Sequence, residues 1–307
     1  LWRRLRGIPT PTYVTVAATY KCQCKCEHCY SNSPIRGPGK ELTTEQLKAV
    51  IRDIAELGAL TIHFSGGEPL LRKDIFELVS YTRQLGMLPR VNSNGLLLNE
   101  DNVKKLKEAG LSECAVSLDS DTSAVHDHLR HTPRLHKQVL DGIRNLRRFG
   151  IPCRIMTLAQ REIIPDGLAR TIRLGKELGA KFMYILLPIA VGGWDKDYSK
   201  VLTAAERSQL RRMQDLSFAH LEMQSDTTNC CIYEKAILYI SANGDVTPCA
   251  FTPFVLGNIT EIPLKKIWEH LCKDIKLVYR GDCPLNNPAE REALSQHVRR
   301  VAEELRQ

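Results

Sequence analysis

The chain has no run of about 18 apolar residues, so nothing in it reads as a membrane-spanning helix. It has no low-complexity segment and no repeat beyond an alternation of strand-like and helix-like stretches. It has no basic block of the kind that binds nucleic acid: its 43 Lys and Arg, against 35 Asp and Glu, are scattered along stretches such as IRNLRRFG and SQLRRMQ. Solvated helix faces account for most of the net charge of +8, and the remainder would steer a small acidic electron carrier. The opening LWRRLRGIP lacks an initiator Met and an apolar core of signal-peptide length, and reads as a trimmed or partial N-terminus.

Cysteine, by contrast, is plentiful. Eleven fall in clusters: 22, 24, 26 and 29, then 114 and 153, then 230, 231, 249, 272 and 283. Secreted disulfide frameworks belong to much shorter chains than 307 residues, so tight spacing here points to metal or redox chemistry in a reducing compartment, the cytoplasm.

From residue 13 to about 187, β-rich runs alternate with amphipathic helical stretches. The runs are YVTVAA, LTIHF, MLPRVN, ECAVSL, PCRIMTLA and FMYILLP. The intervening helices end at Gly58, Gly86, Gly110, Gly150 and Gly179, and Thr43 or Thr44 caps the first, with Glu45 in its opening turn. Strand and helix repeated six times predicts an α/β fold, a partial (β/α)6 TIM-like barrel of parallel strands joined by right-handed crossovers. Loops at the C-terminal ends of such strands build active sites. CQCKCEHC, SGGEP, NSNG, LDSD and PIAVGG all sit there.

Near residue 220 the pattern changes. KAILYISANGDVTPC predicts a β-hairpin turning at Asn243-Gly244, and PLKKIWEHL and the tail from Pro288 to Gln307 read as helices. The expected division is a barrel over 1–219 and a small α+β unit over 220–307.

Cys22, Cys26 and Cys29 form CxxxCxxC with no second pair of cysteines nearby to complete a structural zinc site. Three thiolates suit three irons of a [4Fe–4S] cube whose fourth iron stays open. With His28 before the third Cys, Tyr30 after it, and GGEP from Gly66 to Pro69 ending the next strand, the chain resembles the radical S-adenosylmethionine (SAM) enzymes. The resemblance implies that SAM chelates the open iron. One electron then splits it to methionine and a 5′-deoxyadenosyl radical that takes hydrogen from a substrate. It places Tyr30, Gly66, Gly67, Glu68 and Pro69 at the cofactor, with Ser117 and Asp119 contacting SAM and Arg130 helping to hold it. Asn94 either joins them or shapes a turn, and Leu187 either packs near adenine or belongs to the core. Cys24 reads as a bystander, and Cys114 and Cys153 as core.

Cys231, Gly244 and Cys249 read as C-x12-G-x4-C, with Cys283 following in RGDCP. This resembles the SPASM auxiliary-cluster region or its short twitch form. The short form, with one further [4Fe–4S] cluster, is preferred because only Cys272 and Cys283 follow Cys249. Either Cys272 or Cys230 would complete it, or an iron stays open; a zinc-stabilised hairpin is the alternative.

The expected activity is a radical SAM oxidoreductase or maturase functionalising a C–H bond of a peptide or small molecule, fed by a low-potential donor of flavodoxin or ferredoxin type. Cofactor-biosynthetic or methyl-transferring radical chemistry competes with it, as does a non-catalytic iron–sulfur carrier. No cobalamin-binding domain is evident for the methyl transfer. Asp195, Asp197 and Tyr198 either reach substrate at the barrel mouth or solvate a loop, and Asp226 and Asp245 are weaker candidates for a base.

Overall fold

A computed structural model describes residues 9–32, 39–221, 237–274 and 283–307. Cys230, Cys231 and Asp226 lie outside the described residues.

All six expected strands form: β1 Tyr13–Thr19, β2 Thr61–Gly66, β3 Leu88–Ser93, β4 Glu113–Ser117, β5 Cys153–Leu158 and β6 Phe182–Leu186. The helices between them are α1 Thr44–Glu56, α2 Ile75–Gln84, α3 Glu100–Glu108, α4 Ser123–Leu129, α5 Leu135–Arg148 and α6 Asp166–Glu177. Thr43 caps α1 in a capping box with Gln46. The five predicted terminating glycines adopt φ between 64° and 83°, the left-handed turn that releases the chain from a helix. α4 was not legible in the sequence: its seven residues, rich in histidine, carry no side-chain cap.

After β6 come α7 Ala204–Met213 and a strand absent from the expectation, β7 Ala219–Leu221, which pairs in parallel with β6. Three residues are too few for a period to show. The hairpin follows as β8 Ile237–Ile240 and β9 Asp245–Thr247, antiparallel, with Gly244 at φ 92° in the turn. β10 Gly257–Asn258 and the helices α8 Leu264–Asp274 and α9 Pro288–Arg306 complete the described chain.

One sheet runs in the order β10-β9-β8-β1-β2-β3-β4-β5-β6-β7. β8 pairs in parallel with β1, Thr15 opposite Tyr239, so the hairpin extends the barrel sheet beyond its first strand. Alternate residues on the strands, among them Val14, Ile62, Val91, Cys114, Ile155 and Met183, are buried in the main apolar core. Cys114 and Cys153 sit opposite each other in that core, as expected. Every strand from β1 to β6 therefore delivers its C-terminal end to one rim, where the unusual loops gather.

Candidate active site

The cysteine loop leaves β1 and is held by backbone from both sides. Gly67 N–H donates to the Thr19 carbonyl at 2.7 Å and Glu68 N–H to that of Lys21 at 2.8 Å. A Cβ on Gly66, whose φ is 115°, would fall 2.3 Å from the Thr19 oxygen, and one on Gly67 would fall 2.2 Å from that of Lys21. The close approach that GGEP permits is thus an approach to the cysteine loop itself. On the far side Gly193 N–H donates to the Cys29 carbonyl at 3.0 Å, and a Cβ there would fall 2.0 Å from the Glu27 oxygen. PIAVGG was legible as an active-site loop, but its grip on the cysteines was not.

Two further clasps hold the loop. Glu41 accepts from the Thr19 hydroxyl at 2.8 Å and the Tyr20 N–H at 2.8 Å, while Arg72 donates to the carbonyls of Ala18 and Leu42 at 3.0 Å each. Both residues lie in ordinary charged stretches whose sequence carries no signal.

Glu68 is fully buried, accepting from the Ser93 hydroxyl at 3.1 Å, Asn94 N–H at 2.8 Å and Leu70 N–H at 3.2 Å. Burial pushes its carboxyl up to about 7 against the pull of those donors. Asn94 shapes a turn and also faces the cysteine loop. Its Oδ1 accepts from Leu96 N–H at 2.9 Å, shaping a turn, and its Nδ2 points at Cys22 Sγ from 3.7 Å. Pro69 starts the short turn after Glu68 and is buried.

Asp119 and Arg130 are paired with each other. Arg130 Nε donates to Asp119 Oδ2 at 2.7 Å, and the other oxygen accepts from Leu158 N–H at 3.2 Å. Burial would raise the Asp119 carboxyl, but the Arg130 guanidinium, with His28 and His126, holds it below the usual carboxylate range. Asp119 N–H donates to His126 Nδ1 at 3.1 Å. Arg130 aims Nη1 at Cys26 Sγ from 3.9 Å. Of this pair it is therefore Arg130, oriented by Asp119, that faces the cysteines.

The donor set suits an iron–sulfur cube. Hydrogen bonding from Cys24 lowers the Cys22 thiol to about 6, against burial, and lowers that of Cys26 too. Cys24 is itself pushed up by its bonds to those two. Burial raises Cys29. Among the described residues no three His, Cys, Asp or Glu side chains close on a common point as ligands of one metal ion do; sulfurs that each take a different iron have no need to.

The remaining candidates divide. Tyr30 bonds Ser65 Oγ at 2.8 Å and meets Phe251 and Tyr239 edge-on at 5.5 and 6.5 Å, tying the cysteine loop to the hairpin region. Ser117 and Leu187 are half-buried at the rim. Asp195 is paired with Arg291, Asp197 accepts from Ser199 N–H at 3.2 Å, and Tyr198 lies half-buried beside it. Asp245 accepts from Asn258 Nδ2 at 2.9 Å, joining the hairpin to β10. Cys249, Cys272 and Cys283 are all buried, with Cys249 Sγ 2.9 Å from the Thr252 hydroxyl.

The sequence matches the radical SAM superfamily model over residues 16–175, a span that includes the cysteine loop, GGEP, Asp119 and Arg130. The chain belongs to the radical SAM superfamily. A second match, to the SPASM iron–sulfur cluster-binding domain, covers 230–284 and all five late cysteines. This radical SAM chain is 29% identical over 289 residues to an AdoMet-dependent heme synthase of Methanosarcina barkeri, covering 85% of this chain and 82% of that protein. It is 26% identical to the PqqA peptide cyclase of Gluconobacter oxydans, covering 85% and 77%. Its fold matches that of Streptococcus suis SuiB bound to S-adenosylmethionine with a TM-score of 0.72, at 16% identity over 91% of this chain and 74% of that one. It is a radical SAM enzyme with a SAM-binding [4Fe–4S] cluster and a SPASM iron–sulfur domain. No helix among the described residues is long and apolar enough to cross a membrane.

Proposed function

We propose that this enzyme reductively cleaves SAM and uses the resulting radical to take hydrogen from a peptide or small-molecule substrate in the barrel. The observation that carries the reading is the pair of side-chain N–H groups, from Asn94 and Arg130, directed at the sulfurs of Cys22 and Cys26. Such donors tune the potential of a thiolate-bound cluster. When bound, the cluster supplies the electron that splits SAM, and the protein's part is to position the reactants and exclude competing reactions. Cys22, Cys26 and Cys29 would hold the cluster; Gly66 to Glu68 and Gly192-Gly193 fix the loop that carries them. Cys231, Cys249 and Cys283, with Cys272 a further candidate ligand, would hold the auxiliary cluster. A low-potential donor of flavodoxin or ferredoxin type would deliver electrons.

A second reading, a cofactor-biosynthetic reaction, is favoured by the similarity to a heme synthase along 85% of this chain. The similarity to a peptide cyclase favours a peptide. Anaerobically reconstituted, reduced enzyme mixed with SAM is expected to form 5′-deoxyadenosine, and Cys26→Ala none. Intact clusters without 5′-deoxyadenosine would leave only a carrier or scaffold. Mass analysis of products from peptide and tetrapyrrole panels separates the two substrate readings.

A further inference from the structure

On the strand faces opposite the main apolar core, one side chain after another joins into a belt across seven consecutive strands. The His63 ring of β2 stacks on the Tyr13 ring of β1, with centroids 4.6 Å apart and planes at 9°. Arg90 of β3 brings Nη1 to 3.5 Å from His63 Nε2, and its Nε lies 3.7 Å from Oε1 of Glu113 on β4. The same oxygen lies 2.7 Å from Arg154 Nη2 of β5. The Arg154 guanidinium sits over the rings of Phe182 and Tyr184 on β6, 5.6 and 5.3 Å from their centroids. Tyr184 meets His220 of β7 at 6.3 Å.

An apolar plug is the ordinary filling for a barrel at this depth. Here two arginines share one carboxylate, and His63 is held neutral. The belt therefore carries one positive charge in excess. Arg154 is 6% exposed, yet its Nε has no hydrogen-bond partner, and neither does Arg90 Nε. A buried guanidinium with unmet N–H groups is costly unless something fills them. The residues above and beside it, Asn92, Ser117, Met156 and Tyr184, are only partly buried on the same face.

We propose that Arg90 and Arg154 form a subsite for a carboxylate, the end of an arm of the substrate that extends down the barrel below the SAM-binding rim. Arginine presents planar paired donors that match a carboxylate, and one anion neutralises the excess charge. The aromatic rings of Phe182, Tyr184 and His220 flank the apolar part of the arm. Arg154 lies four residues before Leu158, whose N–H binds Asp119, so the subsite sits about 13 Å below the rim at about 3.3 Å per strand residue. The substrate class is thus a molecule with a carboxylate on an arm of that reach. This rests on the proposed function only in taking the barrel lumen as the substrate chamber.

The test uses anaerobic, SAM-loaded holoenzyme and sodium propionate as probe, with neutral propionamide as its isostere, read by saturation-transfer NMR. Propionate is expected to bind saturably and propionamide not. Arg90→Gln, at the half-exposed end of the pair, is expected to weaken propionate binding at least about tenfold, the loss of one charge-assisted contact. Arg148→Gln on the outer surface is expected to leave it unchanged. The proposal is overturned if propionate does not bind, if propionamide binds equally well, or if Arg90→Gln binds propionate like the parent. 5′-Deoxyadenosine formation without substrate, measured on the same samples, reports separately on the SAM site. Its loss in the parent would count against the proposed function and not against the subsite.

Discussion

Arg291 of α9 closes on Asp195 in the loop leaving β6: Nη2 meets the carboxylate while Nη1 donates to the Ala190 carbonyl at 2.7 Å. Asn286, three residues after Cys283, accepts from Ala190 N–H at 3.0 Å and so pins the same loop. That loop ends in the glycines that seat Cys29. The C-terminal helix and the turn after Cys283 are therefore braced, through the β6 loop, against the backbone of the cysteine loop that follows β1.

Arg291→Ala leaves the Ala190 carbonyl without its donor and loosens the β6 loop. We expect a loss of about 2 kcal/mol in urea unfolding of the reconstituted protein, with a smaller loss for Asp195→Ala, whose carboxylate is more than a third exposed. Equal losses for the two would contradict this placement.

Gly193→Ala places a Cβ against the Glu27 carbonyl, a backbone atom that cannot step aside without moving the cysteine loop. Reconstituted Gly193→Ala should hold distinctly less iron and show a diminished reduced-cluster EPR signal, while Gly86→Ala, with nothing within 4 Å of the added carbon, should keep its iron. Full iron loading of Gly193→Ala would show that the loop tolerates displacement.

Arg130→Gln strands the buried Asp119 carboxylate and removes the donor facing Cys26. Breaking such a buried pair from one side costs about 3 to 5 kcal/mol. We expect lower stability and little 5′-deoxyadenosine, with part of the stability but less of the activity regained in Arg130→Lys, whose ammonium cannot form the fork. Chemical denaturation and product chromatography measure the two effects separately.

Burial, with Arg154 and Arg90, holds His63 down to about 3, and burial, against the pull of Asp119, holds His126 to about 4. Both are neutral in the fold, whereas unfolded histidine takes its proton near about 6.5. Their contribution to stability is complete above about 6.5 and is lost as pH falls toward 4, on the order of 3 kcal/mol each. Glu68, raised to about 7, acts in the opposite sense, contributing at low pH and losing that contribution as pH rises through about 7. Unfolding free energy should fall between pH 6.5 and 4, and less steeply in His126→Asn, which can still accept from Asp119 N–H. An unchanged slope in that variant would assign the acid sensitivity elsewhere.

Local pattern determined much of this protein. Hydrophobic period placed six strands and their helices, glycines stopped the helices, and the spacing of Cys22, Cys26 and Cys29 with GGEP identified the family, because each is a property of neighbours in the chain. Contacts between distant segments were decided only by the tertiary structure. β8 was readable as half of a hairpin, yet its parallel seat beside β1 depends on a strand more than 200 residues earlier. The pairing of Asp195 with Arg291 of the last helix, and of Asp119 with Arg130, has no mark in the sequence around either acid. Glu41, Arg72 and the Arg90–Glu113–Arg154 belt carry no local signal, since a charged residue in a strand or loop shows its purpose only when its partner, brought by another strand, stands opposite it.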